Sequence, residues 1–142
     1  KMFSSLISAY DGGPYYDVIS KGGVKYLDLT LPQYGLPLYD WAMSLEVAEH
    51  IPREFEAVYL DNIIRHAKEG IVLSWAVPSQ IGLGHVNGRP LDYVITTLKN
   101  SNFIHDPEAS KLLQSKASVS WLQKNINVFK RSATSTVDLD EL

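Results

Sequence analysis

Along the chain, segments whose apolar positions have the spacing of strands alternate with segments that have the spacing of helices. Short runs rich in β-branched and aromatic residues are followed by segments with helical spacing. This alternation predicts an α/β fold in which helices connect the strands of a mostly parallel sheet. No internal repeat or interior linker is evident, so we expect one domain over 1–131 and a disordered polar tail over 132–142. The predicted strands are 7–10, 24–29, 39–45, 71–77, 103–105 and 125–130.

The strongest helix signal follows the third predicted strand, whose nearly continuous apolar character predicts burial on both faces. Pro52 lies at the start of this helix, where a missing N–H costs nothing. Glu54 and Glu56 in the first turn suit the helix dipole, and Gly70 is placed to cap the C-terminus. Further helices are predicted over 90–99 and 107–117, and 1–6 reads as the end of another. The residues predicted to face the sheet from the helix that begins near Pro52 are Phe55, Tyr59, Ile63 and Ala67.

The composition excludes several classes of site and disfavours others. The 142 residues contain no cysteine, which rules out disulfides and thiolate metal sites. A net charge of −3 provides no basic field for a nucleic-acid backbone, so we do not expect a nucleic-acid partner. No apolar run approaches the roughly 18 residues that a membrane span requires. The four histidines lack metal-site spacing, so no metal is expected.

Two aspartates lie at the ends of predicted strands, where ligands bind in open parallel sheets. Asp11 follows the first strand and precedes Gly12 and Gly13, which would let a ligand approach the backbone. Its carboxylate could accept both hydroxyl protons of a ribose, or it could simply cap a turn. Asp28 could accept a proton from an adenine amino group, or it could simply end its strand.

Three ionisable residues crowd the segment after the third strand. Glu46, Glu49 and His50 precede the helix within Ser-Leu-Glu-Val-Ala-Glu-His-Ile-Pro. Glu49 and His50 could act as an acid–base pair or position a substrate. They could instead be residues of the helix start, with Glu49 serving the dipole.

A polar, glycine-rich loop over 79–89 follows the fourth strand and so lies on the same side of the sheet. Its Gly82-x-Gly84 pair lacks the third glycine of a dinucleotide fingerprint and follows the wrong strand. His85 and its polar neighbours read either as a lid that contacts substrate or as a solvated loop.

Taken together, this order of elements resembles the class I S-adenosylmethionine-dependent methyltransferases, most specifically in the segment from Glu46 to Pro52. The resemblance covers about 1–131 and implies a three-layer Rossmann-like sandwich, with a mostly parallel sheet and an antiparallel last strand. It also implies S-adenosylmethionine as cofactor and an acceptor, such as a small molecule, that the sequence does not identify. The resemblance implies that the cofactor-binding residues are Asp11 and Gly12 at the ribose, Asp28 and Leu29 at the adenine, and Leu45 and Glu46 at the methionine. It implies that the catalytic residues at the acceptor site are Glu49, His50 and His85.

The chain departs from this family at its beginning. The family's glycine-rich first strand should precede Lys1, and the opening Lys-Met-Phe suggests an internal fragment. We expect a gap in the sheet where that strand belongs, and poor S-adenosylmethionine binding by these 142 residues alone. Two alternatives stay open: a non-catalytic Rossmann-like interaction module, and a nicotinamide-dependent oxidoreductase.

Overall fold

The computed structural model describes residues 6–133, in which strands and helices alternate as the sequence predicts. The predicted helix end at 1–6 and the polar tail fall almost entirely outside the described residues. Two single-turn 3-10 helices, Ala48–His50 and Arg53–Phe55, lead into the second α-helix. The elements in chain order are β1 (Ala9–Asp11), α1 (Tyr16–Ser20), β2 (Val24–Tyr26), β3 (Tyr39–Ser44), α2 (Glu56–His66), β4 (Ala67–Ser74), α3 (Leu91–Lys99), β5 (Phe103–Asp106), α4 (Pro107–Lys116), α5 (Leu122–Asn125) and β6 (Ile126–Arg131).

The larger sheet has four strands in the order β3-β4-β6-β5. Strands β3 and β4 are parallel, and β6 runs antiparallel to both of its neighbours. Phe129 at the centre of β6 lies opposite Ile71 of β4 and opposite His105 of β5. The predicted antiparallel last strand is therefore confirmed, together with the mixed α/β architecture.

Strands β1 and β2 form a separate two-stranded parallel sheet. Within residues 6–133 no strand pairs with both β1 and β3. The hydroxyl groups of Tyr10 and Tyr39, 3.2 Å apart, instead join the two sheets across the space between them. The expected gap between these strands is present.

The prediction that β3 is buried on both faces is wrong. Ala42 and Ser44 point towards α2, where the Ser44 hydroxyl lies 2.8 Å from the Tyr59 hydroxyl. Trp41 and Met43 project from the opposite face and remain 42% and 69% exposed. Helix α2 packs against the Ala42 and Ser44 face only, so the opposite face of β3 stays open.

One hydrophobic core joins the helices α2 and α3 to the larger sheet. Tyr59 of α2 is fully buried and meets Trp75 edge to face, with the ring centroids 6.1 Å apart. Burying each large apolar side chain of this kind contributes about 1.5–3 kcal/mol. The other fully or nearly fully buried core residues are Ala48, Ile51, Leu60, Ile63, Ala67, Ile71, Leu73, Val94, Leu98, Phe103 and Phe129.

The junction between α2 and β4 differs from the prediction. Helix α2 ends at His66 and β4 begins directly at Ala67, so Gly70 lies inside a strand and does not cap the helix. The Trp41 ring lies across Gly70, where an added Cβ would come within 2.2 Å of a ring atom. Arg131 instead satisfies the end of the helix by donating to the carbonyl oxygens of Ile64 and Ala67.

The C-terminal half agrees closely with the predicted elements. Strands β5 and β6 and helices α3 and α4 lie within one or two residues of the predicted bounds. The short helices α1 and α5 were not predicted. None of the described helices has the length and apolar character that crossing a membrane would require.

Candidate functional site

The ends of β1, β2 and β3 surround a cavity of about 600 Å³. Five of the six predicted cofactor positions line this cavity; Leu45 does not. His50, from the predicted acceptor site, also lines it. The carboxyl ends of three strands therefore meet at one cavity, as expected for an open α/β sheet. The lining residues are Tyr10, Asp11, Gly12, Gly13, Tyr26, Leu27, Asp28, Leu29, Thr30, Glu46, Val47, His50 and Ile51.

Asp11 is the last residue of β1, and its side chain caps the turn that follows. Its Oδ1 accepts a hydrogen bond from the Gly13 amide at 2.6 Å, which caps the turn. A carboxylate offers about four acceptor positions, so a ligand can still bind to it. Gly12 packs against the backbone of Leu27, and a Cβ there would lie 2.9 Å from the Leu27 carbonyl oxygen. Only glycine keeps this wall of the cavity as it is.

Asp28 lies beyond β2, because that strand ends at Tyr26 and not at Leu29 as predicted. Its Oδ1 accepts hydrogen bonds from the Thr30 hydroxyl at 2.6 Å and from the Thr30 amide at 2.9 Å. These two bonds lower the pKa of the Asp28 carboxyl below its ordinary value. The site thus holds Asp28 as a carboxylate on the cavity wall.

Asn62 of α2 fixes the segment that follows Asp28. Its amide nitrogen donates to the carbonyl oxygens of Leu31 at 2.9 Å and Leu29 at 3.2 Å, and its Oδ1 accepts from the Gln33 amide at 2.8 Å. Asn62 is almost fully buried. This residue was not predicted from the sequence, although a polar side chain directly before Ile63 on the apolar face of the helix was a usable signal.

Glu46 adopts a left-handed backbone conformation, with φ of +56°. This region is uncommon for residues other than glycine and marks local strain. Ser74, buried at the end of β4, holds Glu46 in place from two sides. The Ser74 hydroxyl accepts from the Glu46 amide at 2.7 Å and donates to its Oε1 at 2.8 Å.

Glu49 is fully buried, and neither carboxylate oxygen has a hydrogen-bond partner. Burial raises the pKa of this carboxyl, and the nearby charge of Glu46 raises it further. The Glu49 carbonyl oxygen accepts from the amides of Val86 at 2.9 Å and Asn87 at 3.0 Å. The backbone at Glu49 therefore anchors the loop that carries His85.

The two histidines of the predicted acceptor site lie side by side. The rings of His50 and His85 meet edge to face, with centroids 5.0 Å apart. Each Nδ1 lies within hydrogen-bonding distance of a loop carbonyl oxygen, at 3.0 Å from Gly84 for His50 and at 2.9 Å from Gln80 for His85. Ligand atoms of these histidines and of Glu49 all lie within 4.8 Å of one another, so the three could hold a metal ion. The structure thus brings together the three predicted catalytic residues.

The loop that carries His85 is also held by the buried carboxylate of Glu56, which lies on α2. Glu56 accepts hydrogen bonds from Asn87 Nδ2 at 2.7 Å, from Arg89 Nε at 2.9 Å and from the Tyr93 hydroxyl. Burial acts to raise the pKa of Glu56, but the three hydrogen bonds and the Arg89 charge outweigh it and lower the pKa below 4.5. Glu56 was predicted only to suit the helix dipole, so its role in holding the loop was not predicted from the sequence.

No protein-family model and no curated protein matches the sequence. Among solved structures, the chain is similar to the magnesium protoporphyrin IX methyltransferase of Synechocystis PCC 6803 with bound S-adenosylmethionine, at 16% identity and a TM-score of 0.56. This match covers 90% of the chain and 60% of that protein. The enzyme LepI in complex with S-adenosylmethionine matches at 10% identity and a TM-score of 0.52, over 89% of this chain and 36% of LepI.

A protein from Bacillus halodurans C-125 that is classed as a methyltransferase also matches, at 14% identity and a TM-score of 0.52. That match covers 87% of this chain and 78% of the other. The chain spans about three fifths of the Synechocystis enzyme and about a third of LepI. Identities this low establish the fold alone. The chain has the Rossmann-like fold of class I methyltransferases.

Proposed function

We propose that this chain forms the larger part of an S-adenosylmethionine-dependent methyltransferase domain. The observation that carries the proposal is the cavity of about 600 Å³, which brings the post-strand residues Asp11, Asp28 and Glu46 together. Two structures with the same fold contain S-adenosylmethionine. A carboxylate at the end of each of three strands suits a ligand with several hydroxyl, amino and ammonium donors.

Each cofactor group has a matching position on the cavity wall. The Asp11 carboxylate accepts the ribose hydroxyls, and Gly12 lets the sugar approach the backbone. Asp28 accepts from the adenine amino group, while Leu29 contacts the ring. Glu46 borders the methionine part on the cavity wall, and Leu45 precedes it in the chain without lining the cavity, so the methyl group lies near the start of the 3-10 helix at Ala48.

The reaction is a direct displacement in which the chain mainly aligns donor and acceptor. A lone pair of the acceptor attacks the methyl carbon while the carbon–sulfur bond breaks, and S-adenosylhomocysteine leaves as a neutral thioether. His50 lines the same cavity as Glu46, so its ring can receive the proton that the acceptor gives up. Glu49 and His85 lie directly behind His50 and complete the acceptor side.

The experiment measures binding of S-adenosylhomocysteine to the purified full-length protein by calorimetry, together with mass spectrometry of any co-purified cofactor. Asp11→Asn and Asp28→Asn each keep the oxygen that caps the local turn and remove the charge. Hydrogen bonds to charged groups contribute about 1.5–3 kcal/mol, so we expect each variant to lower affinity roughly 10- to 100-fold.

Asp17→Asn is the matched control, because Asp17 is exposed on α1 and does not line the cavity. It should bind as the wild type does. Absence of binding and of co-purified cofactor in the wild type would refute the proposal and favour a non-catalytic module. Unchanged affinity in both cavity variants would refute the residue assignment.

A further inference from the structure

The buried carboxylate of Glu49 has no hydrogen-bond donor among residues 6–133. Its side chain is fully inaccessible, and both Oε1 and Oε2 lack a hydrogen-bond partner. Buried carboxylates in proteins are ordinarily paired with a cation or bound to a metal, because an isolated buried charge is very costly. The two imidazoles of His50 and His85 have ligand atoms within 4.8 Å of the Glu49 carboxylate and could share a ligand with it.

Both imidazoles are oriented as metal-binding histidines usually are. In each ring Nδ1 lies against a backbone carbonyl oxygen, that of Gly84 for His50 and that of Gln80 for His85. A carbonyl accepts only, so it selects the tautomer with the proton on Nδ1 and leaves Nε2 with a free lone pair. A backbone carbonyl on the second ring nitrogen is a frequent support of metal-bound histidine.

The loop is shaped to hold these rings close together. A Cβ at Gly82 would lie 2.4 Å from His85 Nε2, so any other residue there would displace the ring. Gly84 has φ of +75°, a conformation that L residues rarely adopt, and its carbonyl oxygen is the one that contacts His50. The backbone of this loop therefore depends on glycine at the two positions that set the histidine geometry.

We propose that Glu49, His50 and His85 form a binding site for one divalent transition-metal cation. Two imidazole nitrogens and one carboxylate oxygen suit Zn²⁺, Mn²⁺ or Fe²⁺, whereas Mg²⁺ and Ca²⁺ prefer oxygen ligands throughout. Three protein ligands leave coordination positions open. These positions adjoin the cavity, because His50 lines its wall and is exposed.

The distances between the ligand atoms of these three residues fit a site whose side chains move slightly closer together when the ion binds. Donors bound at about 2.1 Å in tetrahedral geometry lie about 3.4 Å apart, whereas these donors lie within 4.8 Å of one another. Small side-chain rotations close the difference, and no hydrogen bond to the Glu49 carboxylate has to break for them. The site shares all three residues with the proposed acceptor side, and a bound cation occupies the His50 nitrogen that would otherwise receive the acceptor's proton. Binding of the cation requires no cofactor, so the two proposals can fail separately.

The test titrates the metal-stripped full-length protein with Mn²⁺ and follows the free-ion signal by electron paramagnetic resonance, with Zn²⁺ as competitor. We expect one Mn²⁺ per chain, displaced by Zn²⁺. His50→Ala and His85→Ala should each weaken binding more than about 100-fold, because losing even an outer-shell partner costs about 10- to 100-fold. Both histidines are at least partly exposed, so these variants should fold, which thermal unfolding in chelator checks.

Glu49→Gln should also abolish binding, while His105→Gln serves as the matched control. His105 lies on β5 and contacts Asn127 and Ser110, outside the proposed site. Retained affinity in His105→Gln together with loss in the three site variants supports the proposal. Absence of saturable binding in the wild type, or wild-type affinity in any of the three site variants, overturns it.

Discussion

Replacement of Glu56 by glutamine tests how the loop that carries His85 is held. The carboxylate is 6% exposed and accepts hydrogen bonds from Asn87, Arg89 and Tyr93. Glutamine keeps the shape but removes the charge, which leaves the Arg89 guanidinium without its partner. Charge-assisted hydrogen bonds exceed neutral ones by about 1 kcal/mol each, so three of them predict a loss of about 3 kcal/mol.

The same network predicts a pH dependence with a definite sign. The folded-state pKa of Glu56 lies below its ordinary value of 4.5. Its stabilising contribution is therefore fully present above the unfolded pKa and is lost as the pH falls through the folded pKa. The difference in unfolding free energy between wild type and Glu56→Gln should be largest above pH 5 and should shrink below it.

Urea denaturation of the full-length protein, followed by tryptophan fluorescence, measures both effects. A loss of about 3 kcal/mol with a slope of about 2 kcal/mol per molar lowers the midpoint by roughly 1.5 M. Glu54→Gln is the matched control, because Glu54 lies two residues earlier, in the 3-10 helix before α2, and is exposed; its effect should stay within about 0.5 kcal/mol. Equal effects of the two variants would show that Glu56 acts through the helix dipole alone.

Three further variants probe the walls of the cavity. Asn62→Ala removes three hydrogen bonds to the segment after Asp28, and should cost about 2–3 kcal/mol in urea denaturation and weaken cofactor binding in calorimetry. Gly12→Ala places a Cβ 2.9 Å from a backbone carbonyl oxygen, and should cost about 1–3 kcal/mol in unfolding free energy and lower cofactor affinity at least about tenfold. Ser74→Ala frees the strained backbone of Glu46, and should cost about 1–2 kcal/mol and also weaken cofactor binding. Unchanged affinity in all three would show that these walls do not touch the cofactor.

The sequence predicted the strand–helix order well because local periodicity decides it. The positions of β3, β5, α4 and β6 could be predicted without knowledge of distant contacts. The errors occur where a distant residue decides the outcome. Gly70 looks like a helix cap in the sequence, yet its pairing with Trp41 of β3 and Lys130 of β6 makes it a strand residue. The burial of β3 depends on whether another element packs against each of its faces, which its own residues do not encode.

The candidate site was predictable to the extent that topology alone places it. Asp11, Asp28 and Glu46 follow strands whose carboxyl ends meet, so their convergence needs only the strand order. Asn62 and Glu56 act through partners about thirty residues away or more, and helical spacing gives no sign of those partners. Glu49 and His50 were singled out because they are adjacent, but their approach to His85 depends on the loop conformation.

That loop connects the stability of the domain to the geometry of the site. Its base is held by the Glu49 carbonyl oxygen, by the Glu56 carboxylate and by a 2.7 Å hydrogen bond from Trp75 to the Asn87 carbonyl oxygen. Its tip is open, with Ile81 96% and Leu83 100% exposed. A solvated loop would lack the fixed base, and a packed core segment would lack the open tip. Substitutions at the base should therefore cost stability and displace His85 together, whereas substitutions at Ile81 or Leu83 should change access to the site and leave the unfolding free energy nearly unchanged.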